Sequence, residues 1–153
     1  MLTNGNSGVS SKALVMAILL ILGGVVCGVL GALHAIYTLQ DLRKPRRLVP
    51  ADPSVAQAMA NSALRLSRGG TDMWRAWIGF NFSHSLGVLL TAALAVWTGF
   101  EINTLPIGIF MPVLVSIGCV YLLIALRYWF RGPVIGVGVA TACFAAAWVL
   151  SLT

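Results

Sequence analysis

Residues 13 to 39 read ALVMAILLILGGVVCGVLGALHAIYTL, 27 positions without a charge. A helix needs roughly 20 apolar residues to cross the hydrocarbon core of a bilayer, so this run is long enough to span. It is too long for a signal-peptide core of about 7–15 residues, and no small-residue cleavage site follows, so it reads as a retained first span. Three more apolar runs follow, at about 74–97, 105–126 and 134–150. Only 9% of the chain is charged, against about 25% in a soluble domain, which is too little for a surface that faces water all round. The fold class expected is all-α: a single membrane domain over 1–153, an antiparallel bundle of four transmembrane helices joined mostly by short loops.

The exception is the first connection, QDLRKPRRLVPADPSVAQAMANSALRLSRGGTD, residues 40–72. Asp52 before Pro53 is a helix start, an N-cap followed by proline at the first helical position. Gly69 and Gly70 offer a stop. Val55, Met59, Ala63 and Leu66 recur at helical spacing, so an amphipathic helix over about 53–68 is expected at the membrane surface.

Charge sets the orientation. Of ten Lys and Arg, nine (Arg43, Lys44, Arg46, Arg47, Arg65, Arg68, Arg75, Arg127 and Arg131) belong to the first and third connections or the adjoining span ends. Lys12 alone lies on the other side. Positive residues stay cytoplasmic, so both termini are expected outside a bacterial inner membrane. Tyr37, Trp74, Trp77, Tyr128 and Trp129 then cluster at the cytoplasmic interface, and Trp97 and Trp148 near the outer one. The net charge of +6 is a topology signal rather than a sign of nucleic-acid binding. Arg43, Lys44, Arg46 and Arg47 also attract anionic head groups, which makes the lipid bilayer the first expected partner. The three cysteines, Cys27, Cys119 and Cys143, lie in separate apolar runs without metal-ligand spacing and read as small buried residues. Gly24 and Gly28, and Gly138, Ala142 and Ala146, form small-residue stripes suited to close helix contact, within the chain, in a homo-oligomer or in a larger membrane complex.

The polar exceptions inside the spans are the candidate site. His84 lies nine residues after Arg75, about 13 Å along the helix, and His34 lies six before Gln40, about 9 Å from that edge. Both enter from the cytoplasmic side on successive spans, at depths matching within about one turn. The candidate ligand-binding set is His34, His84, Asn81, Thr38, Trp77 and Ser83. Polar groups in lipid are costly, so these faces should turn inward and bring the two imidazoles together. Three readings stay open: a hydrogen-bonded pair that only joins two helices, a site for a hydrophobic or amphipathic small molecule or an acid–base catalyst, or axial haem or metal ligation by His34 and His84, with Asp41 as a further metal ligand. No intramembrane Asp, Glu, Lys or Arg lies away from the span ends, which argues against an ion-coupled transporter. Nothing in the spacing assigns a reaction.

The stretches GALHAIYTLQDL and MWRAWIGFNFSHSLG resemble small four-helix bacterial membrane proteins, and the resemblance implies a layout without an activity. The layout is also similar to that of the membrane-associated eicosanoid and glutathione metabolism family, whose second helix carries an Arg, Asn and Glu pattern. Here Asn81 is followed three positions later by His84 instead of Glu, and Arg75 precedes Asn81 by six. The glutathione-binding carboxylate of that pattern is absent.

Overall fold

A computed structural model describes residues 10–153; the domain expected over 1–153 includes residues 1–9, which lie outside the described residues. Among the described residues there are five α-helices, α1 Ser11–Arg43, α2 Pro53–Asn61, α3 Met73–Phe100, α4 Ile107–Tyr128 and α5 Arg131–Leu152, and no β-strand. Four of them, α1, α3, α4 and α5, are long and apolar enough to cross a membrane. Each overruns the span expected from hydropathy at one or both ends, because helical hydrogen bonding continues past the last apolar residue. The two prolines at the starts cost little: Pro106 is the N-cap of α4, and Pro133 lies in the first turn of α5, where amides have no helical acceptor. Pro112 sits inside α4. Its ring crowds the carbonyl four residues back, which belongs to Gly108, where an added Cβ would meet no atom of another element within 4 Å among the described residues.

The structure divides into two units, one comprising the chain up to Gly28 with Thr91–Thr153, the other Val29–Leu90. In the first unit, small residues decide the packing. A Cβ on Gly24 would lie 2.8 Å from Val96 and 3.0 Å from the Ala92 carbonyl, and one on Gly23 would lie 2.6 Å from Phe144. The expected glycine face of α1 therefore meets α3, and its neighbour meets α5. The stripe expected on α5 does not pack as such. Ala142 and Ala146 are exposed, and Ala140, Thr141, Phe144 and Ala147 are buried instead. Phe144 and Thr141 explain the rotation: the ring fills the space beside Gly23, and Thr141 approaches Gly118 to 2.7 Å from where a Cβ would be. All three cysteines are free, Cys27 buried and Cys119 exposed.

The second unit holds the long connection, and here the structure departs from the sequence expectation. Asp52 caps α2 by accepting from the Ser54 amide at 2.8 Å, and that hydrogen bonding keeps its carboxyl below the usual aspartate range. The helix ends at Asn61, well short of 68. The Ser62 hydroxyl turns back to the Ala58 carbonyl at 2.7 Å, the kind of competing bond that serine offers a helix backbone. The chain then folds into a tight hairpin. Ala63 pairs with Asp72 in an isolated bridge, and Arg65–Ser67 forms one 3-10 turn. The Ser67 hydroxyl donates to the Leu64 carbonyl and accepts from the Thr71 amide. Arg68 at φ 50° and Gly69 at φ 92° complete the reversal. Val55, Met59 and Leu66 consequently do not share one covered face. Leu66 is 91% exposed on the 3-10 turn, and only Ala56 and Met59 on α2 are half-buried.

Candidate functional site

The site lies in the second unit and begins with Asn81, 2% exposed on α3. Its amide nitrogen donates to the Trp77 carbonyl one turn back, at 2.8 Å. That bond leaves the amide oxygen as the atom facing α1, where it lies 2.9 Å from Nε2 of His34. An amide oxygen only accepts, so His34 carries its proton on Nε2, and Nδ1 is the accepting nitrogen of the neutral ring. Thr38, also buried, donates to the His34 carbonyl at 2.8 Å, and Ser85 donates to the Asn81 carbonyl at 2.9 Å. Both hydroxyls thus act on the backbone that carries the ring and its partner.

His84 meets His34 edge to face, with ring centroids 5.0 Å apart and planes at 63°. Its other neighbour is Phe80, one turn earlier on α3, nearly parallel at 17° and 6.3 Å between centroids. Phe80 in turn stacks with Trp77 at 6.5 Å. Trp77, Phe80 and His84 therefore make a ladder along one side of α3. Both imidazoles remain half-buried, so each keeps a face that a small molecule can reach. Gly31 gives α1 the clearance this needs: a Cβ there would lie 3.0 Å from Leu89.

The structure brings together His34, His84 and Asn81. Thr38 contributes through the backbone. Trp77 contributes its carbonyl to Asn81, while its indole donates outward to the Leu48 carbonyl at 2.8 Å. Ser83 does not join the group. It is exposed, and its hydroxyl bonds the carbonyls of Gly79 and Phe80 on its own helix.

Asp41 does not act as a third ligand. Its carboxylate, 1% exposed, accepts from the amides of Arg46, Arg47 and Leu48 at 2.7, 2.9 and 2.7 Å. Both oxygens are committed to folding the chain that leaves α1. Among the described residues no group of three or more His, Cys, Asp or Glu is placed to hold a metal ion. Axial haem ligation needs a nitrogen of each ring aimed at the iron with the macrocycle between them. The edge-to-face contact leaves no slot for a macrocycle, and Nε2 of His34 is bonded to Asn81, so the pair as built does not fit a haem.

Sequence reading missed a second feature, a cavity of about 660 Å³ at the end of α1. Its walls include Asp41, Leu42, Pro45, Arg46, Gln57 and Trp74. Pro45 and Pro50 interrupt the helical pattern of the connection in the sequence, but Asp41, in the cavity wall, also folds the chain back by gathering the amides of Arg46, Arg47 and Leu48, a consequence that periodicity does not carry. No family model, no curated protein and no solved structure matches the chain.

Proposed function

We propose that the chain is a multi-pass protein of the bacterial cytoplasmic membrane that binds a hydrophobic or amphipathic small molecule at the His34–Asn81–His84 centre. In this reading the four long helices form an antiparallel bundle, both termini lie outside and residues 40–72 lie in the cytoplasm. The nine-to-one division of Lys and Arg supports that orientation. The binding reading rests on one observation above the others: a histidine ring with its proton position set by Asn81, touching a second ring that is only half-buried. A hydrogen-bonded pair serving only to join two helices has no need of such an open face. The half-open rings offer polar aromatic faces, and the Trp77–Phe80 ladder offers an apolar wall. A hydroxyl or carbonyl at the head of a long apolar molecule matches that combination.

The test is a long-chain alcohol carrying a diazirine, crosslinked to the purified protein in micelles. Adducts should map to 29–43 and 77–90. His84→Phe and His34→Phe should each cut their yield about tenfold, the effect of one lost hydrogen bond of about 1.4 kcal/mol. Unchanged yield in both variants, with the fold retained, overturns the reading.

A further inference from the structure

The cavity at the end of α1 sits beside a second, smaller hollow of about 380 Å³, formed by Ile36, Leu39, Gln40, Leu42 and Arg43. Leu42 lines both. The second hollow is almost wholly aliphatic, and Ile36, Leu39 and Leu42 recur at three-residue spacing along α1, each about half exposed. One wall is therefore an apolar strip along a candidate span, and it runs into a chamber that carries an arginine and a tryptophan.

Charge separates the possible occupants. Residues 29–90 contain seven Lys and Arg and three acidic residues, all Asp. Each of these carboxylates already has partners. Asp41 holds three amides, Asp52 caps α2, and Asp72 bonds the Arg75 amide and pairs with its side chain at 3.9 Å. Arg47 lies over the Tyr37 ring, 5.2 Å from its centroid. Arg43, Lys44 and Arg46 have no acidic partner among the described residues. The chamber thus has Arg46 in its wall and Arg43 in the wall of the adjoining hollow, and both oxygens of Asp41, the carboxylate among its lining residues, are already engaged by backbone amides. With both Asp41 oxygens engaged, a cationic head group finds no open acceptor on that carboxylate, whereas an anionic one gains a charge-assisted bond from Arg46 at interfacial depth.

We propose that this chamber holds the head group of an anionic phospholipid, its phosphate on Arg46 and one acyl chain along Ile36, Leu39 and Leu42. Trp74 closes the chamber as an interfacial ring whose apolar body faces the glycerol region. The site is separate from the histidine centre and depends only on the spans lying in a bilayer.

The experiment uses the full chain in micelles and measures retention of phosphatidylglycerol and phosphatidylcholine by native mass spectrometry. Wild-type protein should retain phosphatidylglycerol at least about tenfold more tightly, the size of one charge-assisted hydrogen bond. Arg46→Gln keeps the backbone amide that Asp41 needs, and it should erase that preference. Arg65→Gln, on the remote 3-10 turn, should preserve it, and so should His84→Phe, which removes the other site. Ala56→Trp places a ring in the chamber from α2 and should abolish tight retention while the melting temperature stays unchanged. Equal retention of the two lipids by the wild type, or an Arg46→Gln variant that keeps the preference, overturns the proposal. Displacement of the lipid by millimolar inorganic phosphate also overturns it, since the chamber is then a site for free anions.

Discussion

Replacing Asp41 isolates the bond network that shapes the exit of α1. Its Oδ1 accepts from Arg46 and Arg47, and its Oδ2 from Leu48. Asparagine has the same shape but one accepting oxygen. With that oxygen in the Oδ1 position the first two bonds survive in neutral form, and the new NH2 group faces the Leu48 amide, donor against donor. A hydrogen bond to a charged group contributes about 1.5–3 kcal/mol. Taking about 2 kcal/mol for the lost bond, the Leu48 amide of Asp41→Asn should exchange with solvent roughly 30-fold faster. Arg46 and Arg47 should change several-fold less. Asp41→Ala frees all three amides. Water at the end of the helix resatisfies part of that loss, so the total is about 3–4 kcal/mol and not three full bonds. All three amides should then approach the exchange of an open loop, and the Trp77–Leu48 bond should loosen with them. Hydrogen exchange read by NMR in micelles resolves each position. Uniform acceleration of the three amides in Asp41→Asn, or a Leu48 amide as protected as in the wild type, refutes the division of labour between the two oxygens.

Four further outcomes follow from the geometry. Asn81→Leu strands Nε2 of His34 and should lower stability by about 1 kcal/mol, in the range of inter-helix hydrogen bonds in membranes; a double-mutant cycle with His34→Phe should recover a coupling of similar size. Gly24→Leu should cost more than about 2 kcal/mol in thermal unfolding, because its side chain meets Val96 and the Ala92 carbonyl, whereas Gly79→Ala, with nothing within 4 Å, should stay within about 0.5 kcal/mol. Hydrogen bonding from Ser54 lowers the pKa of Asp52 in the folded chain, so the cap is complete above the ordinary aspartate range and is lost as pH falls through the lowered folded value; the Ser54 amide shift should titrate at that acidic point, and a midpoint at or above the ordinary range contradicts the cap. A cysteine placed at Ser54 should resist impermeant reagents in intact cells and react after the membrane is opened; labelling from outside reverses the proposed orientation.

The long helices were legible because membrane spans are written in length and apolarity, which single residues rarely overturn. The meeting of His34 and His84 was legible for a related reason: two polar residues at matched depth on successive helices have few inexpensive places to go. The role of Asn81 as the atom that sets the His34 tautomer needed the geometry, since spacing cannot say which way an amide points. The connection between α1 and α3 was the poorest reading. Apolar positions from Val55 to Leu66 keep a helical period, yet Ser62 and Ser67 divert the backbone into a hairpin through bonds that hydropathy does not register. The α5 stripe failed differently. Gly138, Ala142 and Ala146 are small enough to pack, but Phe144 and Thr141 fit the glycines opposite, and complementarity across two helices outweighed smallness on one.

The reversal at Arg68 and Gly69 has a consequence for how the chain can be divided. Both residues take left-handed backbone angles at an exposed bend, and the helices on either side are complete without them. A gene cut between these two codons yields one polypeptide with α1 and α2 and another with α3, α4 and α5. Each piece keeps whole hydrophobic helices, so each inserts on its own terms. Co-expressed, the halves should find one another through the Gly24 notch against Ala92 and Val96, making this bend a natural seam for a split reporter of membrane assembly.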